Sequence, residues 1–200
     1  KKSCSFGDVA ATSFYPAKPL GCYGDGGAIF TDDFKLAEIF RSIRVHGQGV
    51  DKYDNIRFGL NSRLDTIQAN VLLRKLEIFD EELDLRNNIA DKYTNFLSKY
   101  VVTPCLSKEN YSSWAQYSIL TKDKSERNKL VEFLNINGIP NVIYYKKPFH
   151  ELKLYAHLVK SDYSVSKYVS ERILSLPMHP YLTDKEHRII IKSIQDFYND

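Results

Sequence analysis

What most limits the fold of this chain is one stretch near its start, SFYPAKPLGCYGDGGA at residues 13–28. Four of the nine glycines fall here (Gly21, Gly24, Gly26 and Gly27), together with Pro16 and Pro19. Proline removes a backbone donor and clashes with the preceding helical turn, and glycine loses most entropy on ordering, so no helix crosses this stretch. The flanks, DVAATSF at 8–14 and GAIFT at 27–31, have the short, apolar and small composition of strands. The reading is strand, rigid loop, strand, with Lys18 held between the two prolines.

Beyond this hairpin, DFKLAEIFRSIRVH carries Leu36, Ile39, Phe40 and Ile43 on one helical face, with Thr31 or Asp32 as cap and Gly47-Gln48-Gly49 as stop. GVDKYDNIRFGLNSRLD then reads as a long polar loop, a length that compact domains reserve for function or mobility. From about Ser62, apolar residues Leu64, Ile67, Val71, Leu72, Leu76, Phe79 and Leu83 recur at three- and four-residue steps, predicting one long helix, straight or bent, to about Tyr100. The remainder reads as a small α/β unit. WAQYSILT is a strand, Asp123 and Glu126 form a capping box for a helix that Gly138 ends, and PNVIYY is a second strand. Residues 161–175 are expected to be helical with Val165, Val169 and Ile173 inward. LPMHPYL is an extended link, and a Thr183/Glu186 box opens a last helix lined by Ile190, Ile194 and Phe197. Strands and helices in alternation give an α/β class.

Composition excludes several functions. The 28 basic and 25 acidic residues are evenly spread and leave a net charge of +3, too little for a nucleic-acid partner. Cys4, Cys22 and Cys105 lack metal-ligand spacing, so no metal is expected, and three scattered thiols fit a reducing compartment. No apolar run approaches the roughly 18 residues of a membrane span. The first residues lack the pattern of a secretory signal. The expected location is the cytoplasm, with no membrane partner.

Lys18 raises a chemical possibility. An amine that must form an imine needs a fixed position and a neutral fraction. Prolines on both sides stiffen the backbone, Gly24, Gly26 and Gly27 would let main chain approach a bulky group, and Ser13 and the loop amides can bind an anion. That set suits a phosphorylated aldehyde such as pyridoxal phosphate, which binds through a lysine. On physics alone, a surface lysine in a Pro-Gly loop fits better.

The order of blocks separates the two. TSFYPAKPLGCYGDGGAIFT, RVHGQ, RFGLNSRLDTIQANVLLRKL, VIYYKKPFH and LSLPMHPYL resemble, in sequence order, the cofactor-lysine segment and following motifs of the DegT/DnrJ/EryC1/StrS sugar aminotransferases. KPLGCYGDGGA and LPMHPYL look most like the subgroup that aminates nucleotide-linked 3-oxo sugars, with UDP-2-acetamido-3-oxo-glucuronic acid as typical substrate, glutamate as donor, and a product that feeds surface polysaccharide such as the lipopolysaccharide O-antigen. The resemblance implies a fold-type I pyridoxal phosphate-dependent aminotransferase, and specifically its C-terminal half. Residues 1–75 would be the end of the large cofactor-binding domain, and residues 76–200 the connecting helix and small C-terminal domain.

It also implies roles. Lys18 would bond covalently to the cofactor and then move a proton. Ser13 would bind the cofactor phosphate, and Asn61 the phosphate in the neighbouring subunit of a homodimer with shared active sites. Arg63 would face the sugar acid or the diphosphate, and His179, Tyr181 and His46 the sugar nucleotide. Other uses remain open. Asn61 could cap the long helix, Arg63 could pair with Asp65 or Glu77, His179 could be a packed linker residue and Tyr181 a core edge.

Two departures from the family pattern bear on function. The cofactor-stacking aromatic and the aspartate for the pyridine nitrogen belong to a preceding N-terminal half that these 200 residues do not include, so the chain is expected to be a portion of the enzyme. Lys146 stands where the family usually has proline. A sister group that dehydrates sugars replaces the lysine with histidine, which Lys18 argues against. The rival reading is a non-catalytic module that folds and dimerises but does no chemistry alone. A partner is expected to cover an apolar surface around residues 8–31.

Overall fold

The structure, a computed structural model, describes residues 1–158 and 161–199. Two compact units divide it, residues 1–80 and 81–200.

In the first unit, β1 (Ala10–Ser13) and β2 (Gly27–Phe30) form an antiparallel ladder in which Ser13 faces Gly27. Both are shorter than the sequence suggested, but the strand–loop–strand reading holds. Helix α1 (Phe34–Ile43) is capped by Asp33, whose carboxylate accepts from the amides of Lys35 and Leu36 at 2.7 and 3.2 Å. Neither Thr31 nor Asp32 caps it. The Thr31 hydroxyl instead donates to the Asp8 carbonyl at 2.7 Å and accepts from the Asp33 amide at 3.1 Å, which sets the entry to the cap. Residues 47–65 form a loop closed by isolated bridges, Val45 to Asn61 and Gln48 to Asn55.

The expected single helix is two, α2 (Thr66–Leu76) and α3 (Phe79–Leu97). At the break the amides of Glu77 and Ile78 reach only the carbonyls three residues back, Arg74 and Lys75, both at 3.3 Å. No proline or glycine marks the spot, and the apolar spacing runs straight through it.

Among the described residues of this unit, the buried apolar side chains are Cys22 and Leu72. Val9, Ile29, Phe30, Phe58 and Ile67 are exposed.

The second unit has a conventional core. β3 (Tyr117–Leu120) pairs antiparallel with β4 (Ile173–Leu176), and α3, α4 (Lys124–Ile136) and α6 (Asp184–Asn199) supply most of the remaining apolar faces. Tyr93, Leu97, Tyr117, Ile119, Leu130, Leu134, Leu174 and Ile194 are fully buried. Each such side chain contributes roughly 1.5–3 kcal/mol of transfer free energy. The Thr183/Glu186 capping box closes in both directions, the Thr183 hydroxyl accepting from the Glu186 amide at 3.3 Å and the Glu186 carboxylate from the Thr183 amide at 2.9 Å, whereas Asp123 caps α4 through the Glu126 amide at 2.9 Å while the Glu126 carboxylate reaches back to the Lys122 amide at 3.1 Å.

Two expectations here fail. The helix α5 covers only Ser164–Arg172, Val165 is exposed, and Ile173 opens strand β4. Pairing with β3 wins because it buries Leu174 and Leu176 and joins the Ser118 and Ser175 hydroxyls at 2.8 Å. PNVIYY is not a strand: Val142 alone bridges Ser175, and the chain turns away after Ile143. Pro140 has no amide to extend the ladder on one side.

Candidate functional site

The loop after β1 presents Lys18. Its own amide donates to the Tyr15 carbonyl at 2.8 Å, closing a tight turn, and the Tyr15 amide donates to Ser13 Oγ at 3.2 Å. The base of the loop is closed by Cys22 N to Phe14 O and Phe14 N to Gly26 O, both 2.8 Å. The buried Cys22 thiol lies 3.1 Å from the Phe14 carbonyl and 3.0 Å from that of Gly24, its proton shared between them. Lys18 is exposed, and among the described residues its ammonium has no hydrogen bond or ion pair.

The glycines of the loop pack closely against this chain's own atoms. A Cβ on Gly24 would sit 3.2 Å from Gln68 Nε2, one on Gly26 2.9 Å from Cys22 Sγ, and one on Gly27 2.7 Å from the Thr12 carbonyl. On the side where a Cβ would stand, the space is filled by this chain's own atoms.

From 45 residues away, Gln68 Oε1 accepts from the Tyr23 amide at 2.7 Å. Lys75 Nζ donates to the Gly21 carbonyl at 2.6 Å and lies 5.1 Å from the centre of the Tyr23 ring. Sequence reasoning missed Cys22, Gln68 and Lys75. Gln68 and Lys75 read as ordinary polar helix positions, and only tertiary placement reveals their partners.

A cavity of about 950 Å³ opens between the β1–β2 ladder, α1 and the segment leading into α2. Arg41, Arg44, Arg63 and Asn61 bring cationic and amide groups to its wall, with the carboxylates of Asp25 and Asp32 on the same lining and Phe30, Phe40 and Leu64 among its apolar side chains. Three guanidiniums against two carboxylates leave the lining mixed in charge, with a small cationic excess. Of the residues singled out from sequence, Asn61 and Arg63 reach this cavity, whereas Lys18, Ser13 and His46 do not line it.

Arg63 pairs with neither Asp65 nor Glu77. Its Nη1 donates toward His46 Nε2 at 3.4 Å, and Glu77 is taken by Arg74 at 2.7 Å. His46 has a positive φ of 60°, and Gly47 beside it 74°. A Cβ at Gly47 would lie 1.8 Å from the Arg57 carbonyl and one at Gly59 2.3 Å from the His46 carbonyl carbon, so the backbones of 46–47 and 57–59 cross where both residues lack a side chain. Asn61 does not cap α2: Asp65 stands at the cap position.

In the second unit, the link after β4 is gripped by α3. The Tyr93 hydroxyl donates to the Pro177 carbonyl at 2.9 Å, and buried Arg86 donates from Nη1 to the carbonyls of Trp114 and Met178 at 3.1 and 3.3 Å. His179 and Tyr181 are exposed beyond this grip. The Tyr181 hydroxyl donates to the Glu82 carboxylate, which raises its pKa. Tyr181 is therefore no core edge.

Three comparisons bear on this arrangement. A family model described as the DegT/DnrJ/EryC1/StrS aminotransferase family matches residues 1–195. UDP-2-acetamido-2-deoxy-3-oxo-D-glucuronate aminotransferase of Pseudomonas aeruginosa is 43% identical over 195 residues, covering 97% of this chain and 53% of that protein. A DegT DnrJ EryC1 StrS aminotransferase from Brucella abortus superposes with a TM-score of 0.92 at 50% identity, covering 98% of this chain and 52% of the other. NtdA from Bacillus subtilis with bound cofactor PMP superposes with a TM-score of 0.88 at 25% identity, covering 99% and 47%. The chain spans about half the length of the curated relatives it matches.

Proposed function

The chain belongs to the DegT/DnrJ/EryC1/StrS aminotransferase family, and from that membership we propose that it carries the cofactor lysine of a pyridoxal phosphate-dependent sugar-nucleotide transaminase. The observation that carries this reading is Lys18, an exposed amine without a partner among the described residues, on a loop closed by its own backbone. The donor set fits such a cofactor: a primary amine for the aldehyde, with the nearby Ser13 hydroxyl, which accepts from the Tyr15 amide, for the phosphate. The PMP bound in NtdA supports the choice of cofactor.

Bound pyridoxal phosphate supplies the electron sink that makes a proton on the adjacent carbon removable. The rest falls to side chains. Lys18 Nζ holds the cofactor and, once free, takes up and returns the proton at the reacting carbon as general base. Ser13 binds the phosphate, and Asn61 does so in the neighbouring subunit of a homodimer. Arg63, steadied by His46, faces the sugar carboxylate or the diphosphate. His179 and Tyr181 contact the sugar nucleotide.

We take the substrate to be a UDP-linked 3-oxo-N-acetylhexuronic acid, the donor glutamate, and the destination surface polysaccharide such as O-antigen. The activity for which the Pseudomonas relative is named supports the first of these. We place the reaction in the cytoplasm, where Cys4, Cys22 and Cys105, all free thiols, stay reduced. Among the described residues no helix is long and apolar enough to cross a membrane.

A second reading has its own observation. The first unit buries few of its apolar side chains, so we take residues 1–80 to be completed by further polypeptide. Chemistry would then belong to the assembled protein and not to this chain by itself.

The test is spectroscopic and chemical. The assembled protein with pyridoxal phosphate should develop a visible band that Lys18→Ala abolishes. With labelled glutamate it should pass nitrogen to the UDP-linked 3-oxo acid, detected by mass, faster than to a dTDP-linked keto sugar. A band unaffected by Lys18→Ala would end the proposal. A preference for the dTDP sugar would end its substrate assignment.

A further inference from the structure

We propose that Gln68 and Lys75 are positioning residues that fix the Lys18 amine from outside its loop, with α2 as the rigid element. The proposal rests on the reading of Lys18 as the cofactor lysine. The loop is closed by its own backbone through Phe14, Tyr15, Cys22 and Gly26, and the Cys22 thiol holds the Gly24 carbonyl at 3.0 Å, which leaves the Gly21 carbonyl and the Tyr23 amide to find partners outside the loop. Two side chains of α2 supply them. Gln68 Oε1 takes the Tyr23 amide at 2.7 Å, and Lys75 Nζ takes the Gly21 carbonyl at 2.6 Å. They are seven residues apart, two helical turns, and so project from the same face.

Three further details show that the contact is built. Gly21 is buried, and a Cβ there would lie 2.8 Å from the carbonyls of Tyr15 and Pro16, so its own carbonyl has little freedom to seek another donor. Lys75 stands over the Tyr23 ring at 5.1 Å, adding a cation–π contact to the same two residues. The absence of a side chain at Gly24 leaves room for the Gln68 amide, which a Cβ would meet at 3.2 Å.

Lys18 lies between the Tyr15 turn and the Gly21 anchor, three residues from each. Fixing both ends of that short span limits where Cα of Lys18 can go, and hence the arc its amine can sweep. Misplacing a reacting group by about 1 Å is enough to cost on the order of a hundredfold in rate. An anchor on a helix is stiffer than one on another loop. The same helix begins five residues after Asn61 and three after Arg63, so one element sets the lysine loop and follows directly from the residues proposed to meet phosphate and substrate.

The test compares Gln68→Leu, which keeps size and removes the acceptor, with Gln68→Glu, which keeps an acceptor, and Lys75→Met with Lys75→Arg. Two readouts are taken on the assembled protein: amide hydrogen exchange at Tyr23, and the rate at which pyridoxal phosphate is trapped on Lys18 by borohydride. Gln68→Leu should speed Tyr23 exchange and slow trapping by about tenfold each, the scale of one lost hydrogen bond with its knock-on. Gln68→Glu should restore both, and Lys75→Met and Lys75→Arg should repeat the pattern in trapping. The Lys75 pair carries the test if Gln68→Leu does not fold. Faster exchange with an unchanged trapping rate would overturn the positioning role and leave only a structural tether. Unchanged exchange would overturn the tether as well. If the unsubstituted protein traps no label at Lys18, the cofactor reading fails and the positioning role falls with it, whereas protected exchange at Tyr23 would show the tether itself intact.

Discussion

Arg86 donates from Nη1 to the Met178 carbonyl at 3.3 Å, tying the middle of α3 to the residue just before His179. The same nitrogen reaches the Trp114 carbonyl at 3.1 Å, and the side chain is buried. Burial lowers its pKa, with Glu82 opposing. Removing it strands two carbonyls that have lost a charged donor. Arg86→Leu should therefore destabilise the protein by about 1–3 kcal/mol in urea titration.

His187 should make the stability of the second unit depend on pH. Its ring meets Tyr93 edge-on at 4.3 Å, and burial, aided by Lys92 and opposed by Asp184, lowers its pKa from 6.5 to about 4. The fold holds it neutral, so between those values the unfolded chain binds more protons than the folded one. Its stabilising contribution is complete above about pH 6.5 and is lost as the pH falls through about 4. Urea midpoints measured from pH 7 to 4 should fall more steeply for the unsubstituted protein than for His187→Leu. Parallel slopes would remove His187 from the account.

Leu134 and Val165 both lie on helices, and sequence periodicity put Val165 inward. Leu134 is 0% exposed and Val165 74%. Leu134→Ala should cost about 2–5 kcal/mol, and Val165→Ala less than about 0.5 kcal/mol. Equal costs would show that α5 packs as the periodicity suggested.

Gly59 carries the crossing that places Asn61 and Arg63. A Cβ there would lie 2.0 Å from the Gly47 amide nitrogen. Gly59→Ala should break the His46–Leu60 and Leu60–Ile43 backbone bonds of 2.9 and 2.7 Å, and amide exchange at His46 and Leu60 should rise at least about tenfold. Gly138, at φ +69° with open space around it, is the control: Gly138→Ala should cost about 1 kcal/mol through backbone strain and leave those amides protected.

Local rules explain what the sequence revealed. The Pro-Gly stretch forced a loop, and the two Thr/Asp–Glu boxes marked helix starts, because those signals act within a few residues. Where a tertiary partner decided, local reading failed. Ile173 continues a helical pattern, yet it pairs with Leu120 because the ladder buries Leu174 and Leu176. The α2–α3 break has no proline or glycine, so its apolar steps look continuous. Gln68 and Lys75 look solvated on a helical wheel, and only the loop folded against them shows what they hold.

The central claim is that Lys18 is the residue that takes the cofactor. Borohydride reduction of the assembled protein with pyridoxal phosphate, followed by peptide mapping, tests it most directly. The account predicts one pyridoxyl group per chain, on the peptide containing Lys18, and none in Lys18→Ala. Label on another lysine, or none in the unsubstituted protein, would contradict it.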